Sequence, residues 1–244
     1  MTVPVSPAEL LAGAAIDAEV LRLRPDYRAL LLVVDGIVPA PGDTTSEELL
    51  RAAEDWARRT LAERPVEELP HVAAWREAYR AFGAKPQRTR NSLEALTRRA
   101  PGGLPRVNRL ADVYNAVSVL HQVPLGGEDL RGYAGSPRLV RATGDERFDT
   151  VAGGAEVVEH PDPGEVVWRD TVGVTCRRWN WRQARRTQLR EDTTTALFIL
   201  DALDPMTSEA LTAAADDLLA HLATPGSHLR VHRRLLGART TEGA

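Results

Sequence analysis

Apolar and polar positions alternate with two different periods along this chain, and the change of period locates its elements. Residues 29–34 (ALLLVV) form an unbroken apolar run closed by Asp35-Gly36, which predicts a strand buried on both faces. Upstream, Ser6-Pro7-Ala8-Glu9 has capping-box spacing with proline at the first helical position, enough for a turn or two of helix. Thr45-Ser46-Glu47-Glu48 is a second capping-box sequence. Behind it Leu49, Leu50, Ala53, Trp56, Ala57 and Leu61 recur at helical spacing, so a helix is expected to about Leu61. Val72, Trp75, Ala78, Tyr79 and Phe82 mark one side of a helix over 71–82, with Gly83 as its C-cap. Pro86 prevents 84–90 from continuing it, and Asn91 with Glu94 restarts a helix. After the break at Pro101-Gly102-Gly103-Leu104-Pro105, Leu110, Val113, Tyr114, Val117 and Leu120 define an amphipathic helix over 108–122, ended by Pro124.

Beyond residue 125 the texture changes. Gly126-Gly127, Thr143-Gly144-Asp145, Gly153-Gly154 and Asp162-Pro163-Gly164 read as turns, and short β-type runs lie between and after them at 138–142, 156–159, 165–170, 172–176 and 194–200. A last amphipathic helix covers 204–222, with Leu211, Leu218, Leu219 and Leu222 on its apolar side, and a basic then polar tail follows. Helices lead the first half and strands the second, without repeats or a clean linker. The expected fold is therefore α+β, as one domain.

The composition supports that reading. The chain has 244 residues, 43% of them hydrophobic, so it can bury a sizeable core and is neither disordered, collagen-like nor a disulfide-rich module. One cysteine, Cys176, excludes an intramolecular disulfide and a cysteine metal cluster. The histidines at 71, 121, 160, 221, 228 and 232 show no metal-ligand spacing, so neither a metal nor a cofactor is expected. The apolar runs are too short to cross a bilayer, and the N-terminus has no basic segment of a secretory signal, which makes the cytoplasm the expected compartment.

The formal net charge of −3 conceals a segregation. Residues 76–109 carry nine basic and two acidic side chains, for +7, and residues 177–190 carry six arginines and no acid, for +6. The remainder therefore carries −16. If the two segments meet, they form a cationic site within an acidic surround, suited to an anionic ligand. Equally, charge blocks can be solvated faces paired with local acids. In the first segment Lys85, the only lysine, precedes Pro86, Arg88 and Arg90, and Ser92 opens a helix whose free N–H groups can receive phosphate. Asn91 and Ser92 also read simply as caps. The second segment is Cys176-Arg177-Arg178-Trp179-Asn180-Trp181-Arg182. In an extended backbone Trp179 and Trp181 share one face, with Arg178, Asn180 and Arg182 on the other. Such a segment can stack on bases while binding phosphate, or can be one core face of a strand with arginine packed over tryptophan.

Three ordered motifs carry a family resemblance: Phe82–Leu96 (FGAKPQRTRNSLEAL), Leu104–Ser118 (LPRVNRLADVYNAVS) and Cys176–Arg182 (CRRWNWR). The chain resembles the free-standing proteins of the B3/B4 domain family, whose namesake is the tRNA-editing domain of the bacterial phenylalanyl-tRNA synthetase β subunit. The resemblance implies a domain over about 21–225, with an N-terminal extension at 1–20 and a tail at 226–244. It also implies recognition of tRNA or aminoacyl-tRNA and hydrolysis in trans of the ester of a mischarged tRNA; no membrane or DNA partner is expected. The family's helix motif matches at Asn108, Asp112, Asn115 and Pro124, and its pocket asparagine falls on Asn115. Two features depart from the pattern: the family's histidine position holds Gly126, and no glutamate follows the Glu191-Asp192-Thr193 run. Tyrosine recognition by that route is therefore not expected.

An aminoacyl ester is already activated, so a positioned water and oxyanion donors suffice for its hydrolysis. The expected assignments are Asn115 and Asn180 for positioning water or ester. Lys85, Arg88, Arg90, Ser92, Asn108, Arg177, Arg178, Trp179, Trp181 and Arg182 are the expected substrate- and tRNA-binding residues. Cys176 beside arginines could be a nucleophile or an inert core thiol. Two other functions stay open: a binding module for RNA, amino acid or nucleotide without catalysis, and a hydrolase of small amino-acid esters or amides.

Overall fold

A computed structural model describes residues 6–224 and 226–237. The chain begins with α1 (Pro7–Ala12), β1 (Ala15–Ile16), α2 (Ala18–Leu23), β2 (Arg28–Asp35), α3 (Thr44–Glu63), α4 (Pro70–Ala81), α5 (Ser92–Arg99) and α6 (Arg109–His121). Then come β3 (Leu125–Asp129), β4 (Arg138–Arg141), β5 (Phe148–Ala152), β6 (Ala155–Glu159), β7 (Val166–Arg169), β8 (Val174–Arg177), β9 (Arg182–Gln183) and β10 (Thr195–Ala202). Helix α7 (Ser208–Leu222) and strand β11 (Arg230–Leu236) close it. The expected α+β class holds, as a single domain with a helix-rich first half.

The apolar run of β2 is buried on both faces because its sheet is a middle layer. The order β11-β2-β10-β3 is antiparallel throughout. On one side Leu30, Leu32, Val34, Phe198 and Leu200 pack against α6 and α7. On the other, Ala29, Leu31, Val33, Leu197 and Ile199 pack against α4 and a second sheet, ordered β1-β4-β7-β8-β9, through Trp75, Trp168 and Trp179. Strands β5 and β6 pair with each other outside both sheets.

Several elements differ from expectation for identifiable reasons. Gly126-Gly127 is no turn but the middle of β3, where a Cβ on Gly127 would lie 2.8 Å from both Leu189 Cδ1 and Phe198 Cε1. Glycine is there because neighbouring side chains close over the strand. Helix α3 is capped by Asp43, paired reciprocally with Ser46, two residues ahead of the box read at Thr45. The segment set apart as a tail holds β11, which lines the β2 edge with exposed arginines and buries Leu236. Residues 7–16, set apart as an extension, place Leu10 and Leu11 in the same core as Leu236. The Arg234 guanidinium joins the two by donating to the Leu11 and Ala12 carbonyls.

Candidate functional site

The two basic segments meet. Ser92 N–H donates to the Asn180 carbonyl at 3.1 Å, and Arg178 Nη1 donates to the Thr89 hydroxyl. The backbone does not run extended through the second segment. Arg178 and Trp179 both take left-handed conformations, with φ of 47° and 69°, turning the chain between β8 and β9. That turn overrides the alternation expected for the tryptophans. Trp179 is fully buried, edge-on to Tyr27 and Trp75 at 4.9 and 5.3 Å, so it is core and cannot stack on a base. Trp181 points the other way and carries the Arg178 and Arg182 guanidiniums over its ring at 4.7 and 4.8 Å.

Most of the arginines are paired internally. Arg177 is buried and grips Glu165 through Nε and Nη2 at 2.9 and 2.8 Å and Glu159 at 2.9 Å, which removes it from any ligand. Arg182 donates to Glu159 at 2.5 Å, and Arg178 lies 3.5 Å from Glu165 and 3.7 Å from Asp162. Arg90 lies 3.8 Å from buried Glu94, which Arg76 and Arg98 also approach. Asn108 caps α6 through Ala111 N–H at 2.9 Å, and so is structural. Asn91 caps α5 in the same way through Glu94 N–H. Among the described residues Lys85 and Arg88 have no ion-pair partner, and both are exposed.

The site is a cavity of about 260 Å³ at the β3 edge of the middle sheet, closed by α5, α6 and the β8–β9 turn. Asn115 from α6 and Asn180 from the turn line it together with Ser92, Trp181 and Arg182. It shares Ala95 and Trp181 with a cleft lined by Arg88, Arg90 and Arg98. That cleft shares Arg88 with a recess holding Lys85, Thr89 and Arg178. The three depressions therefore adjoin one another through shared side chains, from the half-open cavity to a cationic rim.

Two acids on its wall were invisible to sequence reasoning. Asp201, on the same face of β10 as Ile199, accepts from Tyr27 Oη at 2.5 Å and from Asn180 Nδ2 at 3.2 Å. Asn180 Oδ1 in turn accepts from Tyr79 Oη at 3.0 Å. Glu128, on β3, accepts from Tyr133 Oη and from Thr187 Oγ1 at 3.0 Å. Burial pushes both carboxyls up to about 7, against the pull of those donors. Gln183, also on the wall, donates to the Gly127 carbonyl at 2.8 Å and fills the space beside Gly126. The signal for Asp201 was its period-two relation to Leu197 and Ile199, which place it on a buried face. Glu128 had only the glycine pair before it, which read as a turn.

Cys176 also lines the cavity, but burial raises its thiol well above its ordinary value, which disfavours the thiolate that a nucleophile needs. No group of three or more metal-ligating side chains occurs among the described residues. No helix among them is long and apolar enough to cross a membrane.

The family model for the B3/4 domain matches residues 74–217, more than half of the chain, including α5, α6, the β8–β9 turn and β10. No curated protein sequence matches the chain. Among solved structures, an N-terminal fragment of the phenylalanyl-tRNA synthetase beta-subunit from Pyrococcus horikoshii is similar at 12% identity with a TM-score of 0.44. The match covers 89% of this chain and 50% of that one, so the chain spans about half the length of that fragment.

Proposed function

The chain belongs to the B3/4 domain family, and from that premise we propose that it takes the aminoacylated 3′ end of a tRNA and hydrolyses the ester. The observation that carries this reading is the succession from a half-open, largely apolar cavity with a few polar groups on its wall to a rim with two unpaired cations, Lys85 and Arg88. An aminoacyl ester has that division: a small acyl group to enclose and phosphates that stay outside. Asn115, which makes no side-chain hydrogen bond among the described residues, is the group that positions the ester or the attacking water. Asn180 braces the wall, because its amide is engaged by Tyr79 and Asp201. Lys85 and Arg88, with Arg90 and Arg178 beside them, hold the terminal phosphates, and Ser92 lies between rim and cavity. The unpaired rim cations argue against a hydrolase of small esters that never meets RNA.

Binding without hydrolysis is a second reading. It is favoured by a specific feature: burial holds the Cys176 thiol protonated, and of the two expected catalytic asparagines Asn115 alone has its amide free among the described residues. A panel of mischarged tRNAs separates the two. Wild type is expected to deacylate at least one faster than buffer alone. Asn115→Ala should slow that reaction by ~10-fold or more, as removal of one oxyanion or water-positioning donor does. Lys85→Ala should raise KM with little change in kcat. Retardation of tRNA in a gel without deacylation would establish the binder, and neither effect would overturn both.

A further inference from the structure

Most polar groups on the cavity wall are engaged within the chain. Asp201 accepts from Tyr27 and Asn180, and Asn180 accepts from Tyr79. Glu128 accepts from Tyr133 and Thr187, and the Arg186 charge acts on it. Asn115 is free for the ester or the attacking water. Gln183 differs from all of these, because only one end of its amide is engaged. Its Nε2 donates to the Gly127 carbonyl at 2.8 Å, while its Oε1 accepts from no group among the described residues. Nor is that oxygen sealed into the protein interior, so it stays open to a small molecule.

The Gln183 side chain lies along the cavity. At its root it stands opposite Cys176 in the β8–β9 pair, and directly opposed residues share a face of the sheet. Cys176 lines the cavity, and so does Gly126, beside which the side chain ends. A Cβ on Gly126 would stand only 3.3 Å from Nε2, so glycine leaves the amide its place on β3. The Gly127 carbonyl fixes how the amide is turned: with its ends exchanged, two oxygens would face each other at 2.8 Å. The free end is therefore an acceptor.

Its position decides what reaches it. Ala95 and Trp181 border both the cavity and the cationic cleft, whereas neither Gln183 nor Gly126 borders that cleft or the recess beyond it. Phosphates held at the rim thus put the ribose near Ala95 and Trp181 and leave the acyl group to reach Gln183. Leu125 and Ile199 make the neighbouring wall apolar. A single neutral acceptor in such surroundings suits a neutral O–H or N–H. An ammonium stripped of its water needs an anion or several acceptors.

We infer that Gln183 is a specificity-determining residue, whose Oε1 accepts from a hydroxyl or carboxamide of the acyl side chain, so that the pocket prefers an aminoacyl group with a neutral donor to its hydrocarbon isostere. This preference rests on the aminoacyl-ester reading of the cavity and adds the substrate class to it.

Titration calorimetry on the full chain tests it with amide-linked 3′-deoxy-3′-aminoacylamino-adenosines, which cannot be hydrolysed as esters. Seryl against alanyl, threonyl against valyl and asparaginyl against leucyl are pairs of similar shape that differ in the donor. At least one polar member is expected to bind ~5-fold or more tightly than its partner, the share of one net hydrogen bond. Gln183→Met keeps the length of the side chain and removes the acceptor, so the ratio should shrink to ~2-fold or less. Gln183→Lys still has a donor for the Gly127 carbonyl and no acceptor. It should lose the preference in the same way, and it decides the matter if the methionine variant fails to fold. A glutamine that only braced β3 would change both members of a pair alike and leave their ratio intact. Equal affinity within every pair, or a preference that a folded variant retains, overturns the inference and leaves the functional reading in place. Selectivity confined to the α-amino group, seen by comparing alanyl with propionyl, does the same. Failure of every analogue to bind overturns the functional reading itself.

Discussion

Asp201 is where local chemistry and stability meet. Its two oxygens accept from Tyr27 and Asn180, an arrangement suited to the ionised acid, yet burial pushes its carboxyl up to about 7. A protonated Asp201 is accommodated if the Asn180 amide turns over, so that its oxygen accepts from Asp201 and its NH2 donates to the Tyr79 oxygen. The stability consequence has a definite sign. Between the ordinary value near 3.8 and about 7 the folded chain holds a proton that the unfolded chain has released. The contribution is present in full at low pH and is lost as pH rises through 7. A shift of about three units corresponds to ~4 kcal/mol. Asp201→Asn cannot titrate there, so the melting temperature of wild type relative to this variant should fall by ~8 °C or more between pH 4.5 and 8. A pH-independent difference in thermal denaturation would show that Asp201 ionises normally in the fold. Asn115 and the two basic segments were legible in the sequence because motif and charge mark them. Glu128, Asp201 and Gln183 were not, because what brings them together is a shared cavity wall built from three strands.

One side chain of helix α4, His71, ties it to the end of α6 and to the segment after β10. His71 Nδ1 lies 2.7 Å from the Gln122 carbonyl, and its Nε2 accepts from Trp75 Nε1 at 3.2 Å and Leu203 N–H at 3.1 Å. Those partners fix the neutral tautomer with the proton on Nδ1, linking α4 to the end of α6 and to the segment after β10. Burial lowers the His71 pKa to about 4, so its contribution is present above the ordinary value of 6.5 and is lost as pH falls toward 4. His71→Phe leaves a buried carbonyl and two buried N–H groups unpaired and should cost ~3 kcal/mol or more. It should also flatten the acid limb of the stability profile between pH 6.5 and 4. Chemical denaturation at both pH values measures the two effects together, and an unaltered acid limb would refute the assignment. Sequence reading had already placed this helix, α6 and β2, because each has a long apolar period. Strands β1, β3, β5, β9 and β11 escaped it: β1 and β9 have two residues each, β3 carries a glycine pair, β5 ends just before Gly153-Gly154 with its last residues exposed, and β11 is dominated by arginine. The Trp179–Trp181 alternation failed because positive φ at two consecutive non-glycine residues leaves no trace in a hydropathy pattern.

At the scale of the molecule, the two basic segments form one rim, but far less of their charge is available than +13 suggests. Arg76, Arg98, Arg106, Arg109, Arg177, Arg182, Arg185 and Arg186 are all spent on acids of the surrounding body. Both readings of the charge blocks were therefore partly right: most of the arginines are structural struts, and a small remainder faces outward. That remainder sets how RNA binding should respond to salt. Arg80, Arg99 and Arg190 are also exposed and, among the described residues, without an ion pair, but they line none of the three depressions. At the rim itself, with Lys85 and Arg88 unpaired and Arg90 and Arg178 only loosely held, about two to four phosphates can be neutralised. The expected slope of log affinity against log salt for a single-stranded acceptor end is then about −1.4 to −2.8. The remaining acidic surface repels the rest of the polyanion, which keeps the slope from growing with RNA length. Binding of a tRNA and of its isolated acceptor-end hairpin, titrated across salt, should give the same slope within that range. The double variant Lys85→Ala/Arg88→Ala should lower it by about 1.4, the share of two phosphates. A slope near −7, or one that the double variant leaves untouched, would mean that RNA lies on a different face of the molecule, and that the cavity path is not its route.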